Sequence, residues 1–70
     1  MKTIYVVEYI FTDFTYQHHI NQDAWVNLDD ARKWCKRNGA RPEDENEMSF
    51  HWVENGDRYY VIHPVTVEGL

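Results

Sequence analysis

Asn27-Leu28-Asp29-Asp30-Ala31-Arg32-Lys33-Trp34-Cys35-Lys36-Arg37-Asn38-Gly39 is the segment on which the reading of this chain turns. Asn is a good N-cap, and Asp30 stands at the third helical position in an approximate capping box. Leu28, Ala31, Trp34 and Cys35 recur at helical spacing and form one apolar stripe. Asp29 and Asp30 fall in the first turn, Lys36 and Arg37 in the last, so both ends complement the helix dipole. Asn38-Gly39 supplies the stop. The segment predicts one helix over about residues 28–38, amphipathic and therefore packed on something.

What it packs on lies on either side. Residues 3–12, Thr-Ile-Tyr-Val-Val-Glu-Tyr-Ile-Phe-Thr, are β-branched and aromatic almost throughout, which suits a strand. Tyr5, Val7, Tyr9 and Phe11 alternate with Ile4, Val6 and Ile10, so both faces are apolar and both expect cover. The alternation leaves open which face the helix takes. Asp13-Phe14 reads as a bend into a second strand, roughly Thr15 to Asn21, with looser extended chain to Val26.

After the helix, 40–47 reads as a polar loop. Met48–Glu54 and Asp57–His63 then flank Asn55-Gly56, a strong hairpin signal because both turn residues favour positive φ. A turn on those two residues sets Trp52 opposite Tyr59 and Phe50 opposite Val61. It leaves His51, Val53, Tyr60 and Ile62 on the other face. Pro64 removes a ladder donor, so any extension through Val67 must lie at an edge or beyond a bulge. The expected fold is α+β: a small antiparallel sheet of three to four strands, in the order β-β-α-β-β, with the helix on one face. A helix of that length is only about 16 Å long and cannot cover both faces of such a sheet.

Seventy residues make a single domain, 1–70, whose own core is marginal at this size. Cys35 is the only cysteine, so no intrachain disulfide supports it, and a lone thiol fits a reducing, cytoplasmic setting. The apolar run Ile4–Phe11 is too short and too interrupted for a membrane span, and no cleavage site marks a signal peptide. Net charge is −5, which argues against a general nucleic-acid binder. The charge is segregated: Arg32, Lys33, Lys36, Arg37 and Arg41 precede Glu43, Asp44, Glu45 and Glu47.

Catalytic chemistry finds no support. Of the four histidines, His18 and His19 are adjacent and point to opposite faces of a strand, and the expected hairpin register also separates His51 from His63. No metal-ligand spacing arises, and no metal or cofactor is expected. Ser49 and His51 share a strand face without an acid to orient the imidazole. Cys35 belongs to the helix stripe and reads as a buried, inert thiol. The acids cluster where solvation and the helix dipole account for them, and no glycine-rich loop cradles phosphate.

Phe, Trp and Tyr make up 16% of the chain. Trp and Tyr are enriched at interface cores, and one short helix cannot bury them on both faces. The reading is a non-catalytic, acidic protein-binding module that occupies a partner's surface, an inhibitor or accessory factor. Tyr9, Trp52, Tyr59 and Tyr60 are the expected anchors. Glu43, Asp44, Glu45 and Glu47 are expected to orient a partner with a cationic surface. In size, acidity and layout the chain resembles small phage-encoded inhibitors of host defence proteins, a likeness of build that assigns no residue a role. Two alternatives stand beside it. One is a homo-oligomer whose sheet face pairs with itself. The other is weak nucleic-acid contact through the basic helix face of Arg32, Lys33, Lys36 and Arg37.

Overall fold

The computed structural model describes residues 2–44 and 50–68. It is an α+β fold. Strands β1 (Lys2–Asp13), β2 (Tyr16–Trp25), β3 (Arg41–Pro42), β4 (His51–Asn55) and β5 (Arg58–Val67) form one sheet, with helix α1 (Leu28–Arg37) between β2 and β3 in the chain. The spatial order is β2-β1-β5-β4-β3, and every neighbouring pair is antiparallel. Five strands replace the expected three to four. The addition is β3, inside the segment read as a loop, where Arg41 pairs with Val53 and Pro42 with Trp52. The Glu43 N–H extends this edge by donating to the His51 carbonyl at 2.9 Å.

The helix forms as its residues dictate, with one refinement at each end. Asn27 is the N-cap in extended conformation (φ −108°, ψ 132°), but its side chain makes no cap hydrogen bond. At the other end the Gly39 N–H donates to the Lys36 carbonyl and the Ala40 N–H to the Cys35 carbonyl, both at 3.0 Å. That pair of bonds is a Schellman closure, and it requires the left-handed backbone that Gly39 supplies at φ 86°. The Asn38 side-chain amide adds a bond to the Trp34 carbonyl at 2.8 Å. Helix and sheet then share a core of Val7, Ala31, Cys35, Ala40, Trp52, Tyr60 and Ile62, flanked by half-buried Tyr5, Tyr9, Trp25, Leu28 and Trp34. Trp34 meets Trp25 at 5.5 Å between ring centroids and Tyr60 edge-on at 5.3 Å.

The β4–β5 hairpin departs from its expected register. Its turn is Gly56-Asp57, closed by Asn55 opposite Arg58, and a bulge between Val53 and Asn55 follows. Neither Asn55 nor Gly56 adopts positive φ, so the anticipated turn conformation is absent. Trp52 therefore pairs with Tyr60, Val53 with Tyr59 and His51 with Val61. The physical reason is packing. In the expected register Trp52 shares a face with Tyr59 and Val61; in the observed one it joins Tyr60 and Ile62 beneath the helix and is fully buried. A one-residue slip reverses a strand's faces, so burial of the largest side chain outweighs the turn preference.

Strand β2 is regular hydrogen-bonded structure from Tyr16 to Trp25, longer than the expected strand, with a register shift opposite Val7 and Glu8 that leaves Gln22 unpaired. The β1–β2 turn holds Phe14 at φ 55°. Pro64 sits opposite Tyr5, beyond the end of β4, where β5 has only β1 as its neighbour. It thus occupies a local edge, as its missing N–H requires.

Candidate protein-binding surface

Cross-strand partners share a face, so the registers divide the sheet into two surfaces. The face carrying Tyr5, Val7, Trp52, Tyr60 and Ile62 lies under the helix. No described element packs on the other, hereafter the open face. Its centre is apolar: Ile4, Val6 and Ile10 from β1, Tyr59, Val61 and Val65 from β5, and Val53 from β4. Ile10 is only 5% exposed and Val61 9%. Ile10 is flanked in register by His19 and Tyr59, and Val61 by Glu8 and His51.

Into this apolar field β1 sets one carboxylate. Glu8 Oε1 lies 3.3 Å from His19 Nδ1 on β2 and 3.2 Å from His63 Nε2 on β5. Burial alone pushes the Glu8 carboxyl up; the hydrogen bonds and charges of the two imidazoles outweigh it and hold the carboxyl below its usual value. Farther along, His51 Nδ1 stands 3.8 Å from Glu43 Oε2. That pair belongs to an open depression of ≈ 420 Å³ lined also by Val53, Asn55, Gly56 and Tyr59.

The expectation that His51 and His63 point to opposite faces is corrected by the register shift, because His51 pairs with Val61, two residues before His63 on the same strand face. His18 and His19 do separate: His18 stacks on Phe11 at 4.7 Å on the helix side, while His19 meets Glu8. Even so, no group of three or more His, Cys, Asp or Glu among the described residues is arranged to hold a metal ion. Ser49 lies outside the described residues, and Cys35 is buried, its thiol pushed up to about 12 by that burial.

The anticipated anchors divide. Trp52 and Tyr60 lie in the core, too buried to act as anchors; burial, then Glu54 and neighbouring groups, pushes the Tyr60 hydroxyl up to about 12. Tyr9 is half-buried on the helix side, 4.8 Å from Tyr60 between ring centroids. Burial first, then Glu54, raises its hydroxyl against an opposing effect of Arg58. Tyr59 alone of the four stands on the open face, beside the depression. Of the acids, Glu43 and Asp44 are exposed at the β3 edge, while Glu45 and Glu47 lie outside the described residues. On the helix, Arg32 is paired with Asp29, and Lys33, Lys36 and Arg37 are exposed. Arg32, Lys33 and Lys36 border a smaller depression of ≈ 210 Å³ that also involves Asp29 and Trp52. The sequence missed the open-face cluster around Glu8. Its signal was Glu8 itself, a lone charge in an apolar strand, whose partners depend on two registers that no local pattern specifies.

No family model, no curated protein and no solved structure matches the chain. No helix among the described residues is long and apolar enough to cross a membrane.

Proposed function

We propose that this chain is a non-catalytic protein-binding module, an inhibitor or accessory factor that applies its open sheet face to a partner protein. One observation carries the reading: the helix covers one side of the sheet, while the other has an apolar centre, with Glu43 and Asp44 exposed beside Arg41 at its β3 edge. Tyr59, Val53 and Val65 supply contact area and Ile4, Val6, Ile10 and Val61 the apolar floor. Glu43 and Asp44 steer a partner bearing cationic groups at the matching rim. The imidazoles around Glu8 keep the one central carboxylate hydrogen-bonded, so closing a partner over it leaves no bare charge.

Capture from the source lysate, comparing wild type with a Tyr59→Ala/Val65→Asp double variant and with Lys33→Ala/Lys36→Ala, tests this. One near-stoichiometric protein, lost with the first variant and kept with the second, is the expected result. Equal retention by both variants contradicts it. A second reading, nucleic-acid contact through the helix, draws on the gathering of Arg32, Lys33 and Lys36 at one depression. Titration with labelled duplex and single strands at physiological salt decides it; binding abolished by Lys33→Ala/Lys36→Ala favours the helix.

A further inference from the structure

Across the open face runs one continuous line of hydrogen-bonding side chains. It begins at His63 on β5, passes Glu8 on β1, reaches His19 and Gln17 on β2, and returns over β1 to Tyr59 on β5. His63 Nε2 lies 3.2 Å from Glu8 Oε1, and His19 Nδ1 lies 3.3 Å from the same oxygen. His19 Nε2 stands 3.1 Å from Gln17 Oε1, and Gln17 Nε2 donates to the Tyr59 hydroxyl at 3.3 Å. The registers make the line possible. Ile10 pairs with His19 on one side and with Tyr59 on the other, so β1 alone separates the outer strands and the Gln17 amide spans it.

Donor and acceptor chemistry dictates what each member carries. The Glu8 carboxyl, held below its usual value, is ionised near neutral pH and only accepts. His63 satisfies it with the single Nε2–H of a neutral imidazole. His19 is different, because it faces an acceptor at each ring nitrogen: the carboxylate at Nδ1 and the amide oxygen at Nε2. Only an imidazolium has two N–H groups, so this arrangement belongs to a protonated His19. Taking one proton away sets acceptor against acceptor. The charged carboxylate holds the Nδ1–H, the stronger of the two bonds, and Nε2 gives its proton to water. The bare Nε2 then opposes Gln17 Oε1 until the amide turns over. In the reversed amide Gln17 Nε2 donates to His19 Nε2, and Gln17 Oε1 accepts the Tyr59 O–H.

We infer that His19, Gln17 and Tyr59 form a proton-operated switch on the open face, in which the charge of His19 sets the direction of the Gln17 amide and so the hydrogen-bonding character of the Tyr59 hydroxyl. With His19 protonated, the Tyr59 oxygen accepts from Gln17 and its O–H is left to donate outward. With His19 neutral, that O–H is taken by Gln17 and the hydroxyl offers only its oxygen. The groups facing His19 are Glu8 from β1 with His63 behind it on β5, and Tyr59 through the amide. Gln17 and Asn21, its neighbours on the same face of β2, are uncharged, and His18 stacks on Phe11 on the helix side. His51 and Glu43 lie farther across the face, on β4 and beside it, 3.8 Å from one another. The switch needs no partner. Its use, changing what the one expected anchor on this face can bind, rests on the protein-binding reading.

Nuclear magnetic resonance of the full chain alone tests the inference over about pH 5 to 8, where imidazoles change charge. No partner is present, so failure here is separate from failure of the protein-binding reading. The expected result is one midpoint shared by the His19 ring nitrogens, the Gln17 side-chain amide and the Tyr59 ζ-carbon, with neutral His19 carrying its proton on Nδ1. In Gln17→Ala, a change at an exposed position, His19 should still titrate while Tyr59 no longer follows it. A neutral His19 protonated on Nε2 overturns the inference, as does a wild-type Gln17 amide or Tyr59 ring that ignores the His19 midpoint. A Tyr59 response that persists in Gln17→Ala also overturns it, because the charge of His19 would then be felt through space and not through the amide.

Discussion

The two faces of this sheet are built from the same residue types and put to opposite use. Val7, Trp52, Tyr60 and Ile62 on one face are sealed by Ala31, Cys35 and the Trp34 ring. Ile4, Val6, Ile10, Val61 and Val65 on the other have no described element packed over them, and Ile10 and Val61 are buried by their neighbours within the sheet alone. Hydrophobic character alone therefore does not say which surface is core. The position of one ten-residue helix does, and that helix is too short to serve both sides.

The comparison breaks most visibly at Trp52. Trp52→Ala removes the largest fully buried side chain and should cost about 3–5 kcal/mol, enough to unfold a domain of this size. Val65→Ala on the open face should stay within about 0.5 kcal/mol. Thermal melts of the two variants check both numbers. Equal losses would mean that the open face is core after all.

Next in size is an alkaline effect confined to the covered face. Cys35 and Tyr60 are pushed up to about 12, mainly by burial. Groups whose folded pKa lies above the unfolded one give stability that is complete below the unfolded value and is lost as pH rises through the folded one. Stability should therefore fall as pH climbs from the ordinary thiol and phenol range toward about 12, while Cys35 resists alkylation until the chain unfolds. Denaturant melts across that range and a thiol-labelling time course read the two effects. Rapid labelling of native protein at neutral pH would contradict the burial of the helix stripe.

A smaller effect is expected at the β1–β2 turn. Phe14→Gly relieves a left-handed backbone and should raise stability by about 1 kcal/mol, visible as a higher melting temperature. A lower one would show that the Phe14 ring is held by contacts worth more than its strain. The smallest effect belongs to Glu8 on the open face. Its lowered carboxyl contributes stability above the usual carboxylate range that is lost as pH falls through its folded value. Glu8→Gln should lose less than about 1 kcal/mol near neutral pH, and the gap to wild type should close in acid. A gap independent of pH would assign Glu8 a packing role instead.

Which parts of this were legible in the sequence follows from how local their causes are. The helix was readable to within a residue of its end because its dipole-matched charges and Gly39 act within a turn. β1 was readable from its β-branched run. β2 was only half readable: Gln17, His18, Asn21 and Gln22 carry little strand preference, and the strand continues past a bulge at Gln22 to Trp25 because β1 offers it a ladder. β3 has two residues and no periodicity to detect. The hairpin register was misread because Asn55-Gly56 is a local signal and the burial of Trp52 is not. That single slip put Trp52 on the same face as Tyr60, so that both lie in the core, and brought His51 onto the side of His63.

The measurement that bears most directly on the division between the faces is the affinity of the Tyr59→Ala/Val65→Asp variant for the captured partner, taken together with its melting temperature. The account predicts binding weakened by at least about tenfold with the melting temperature nearly unchanged, as expected when contact residues carry affinity without carrying the fold. Undiminished binding by a well-folded variant would contradict it and move the interface off the open face.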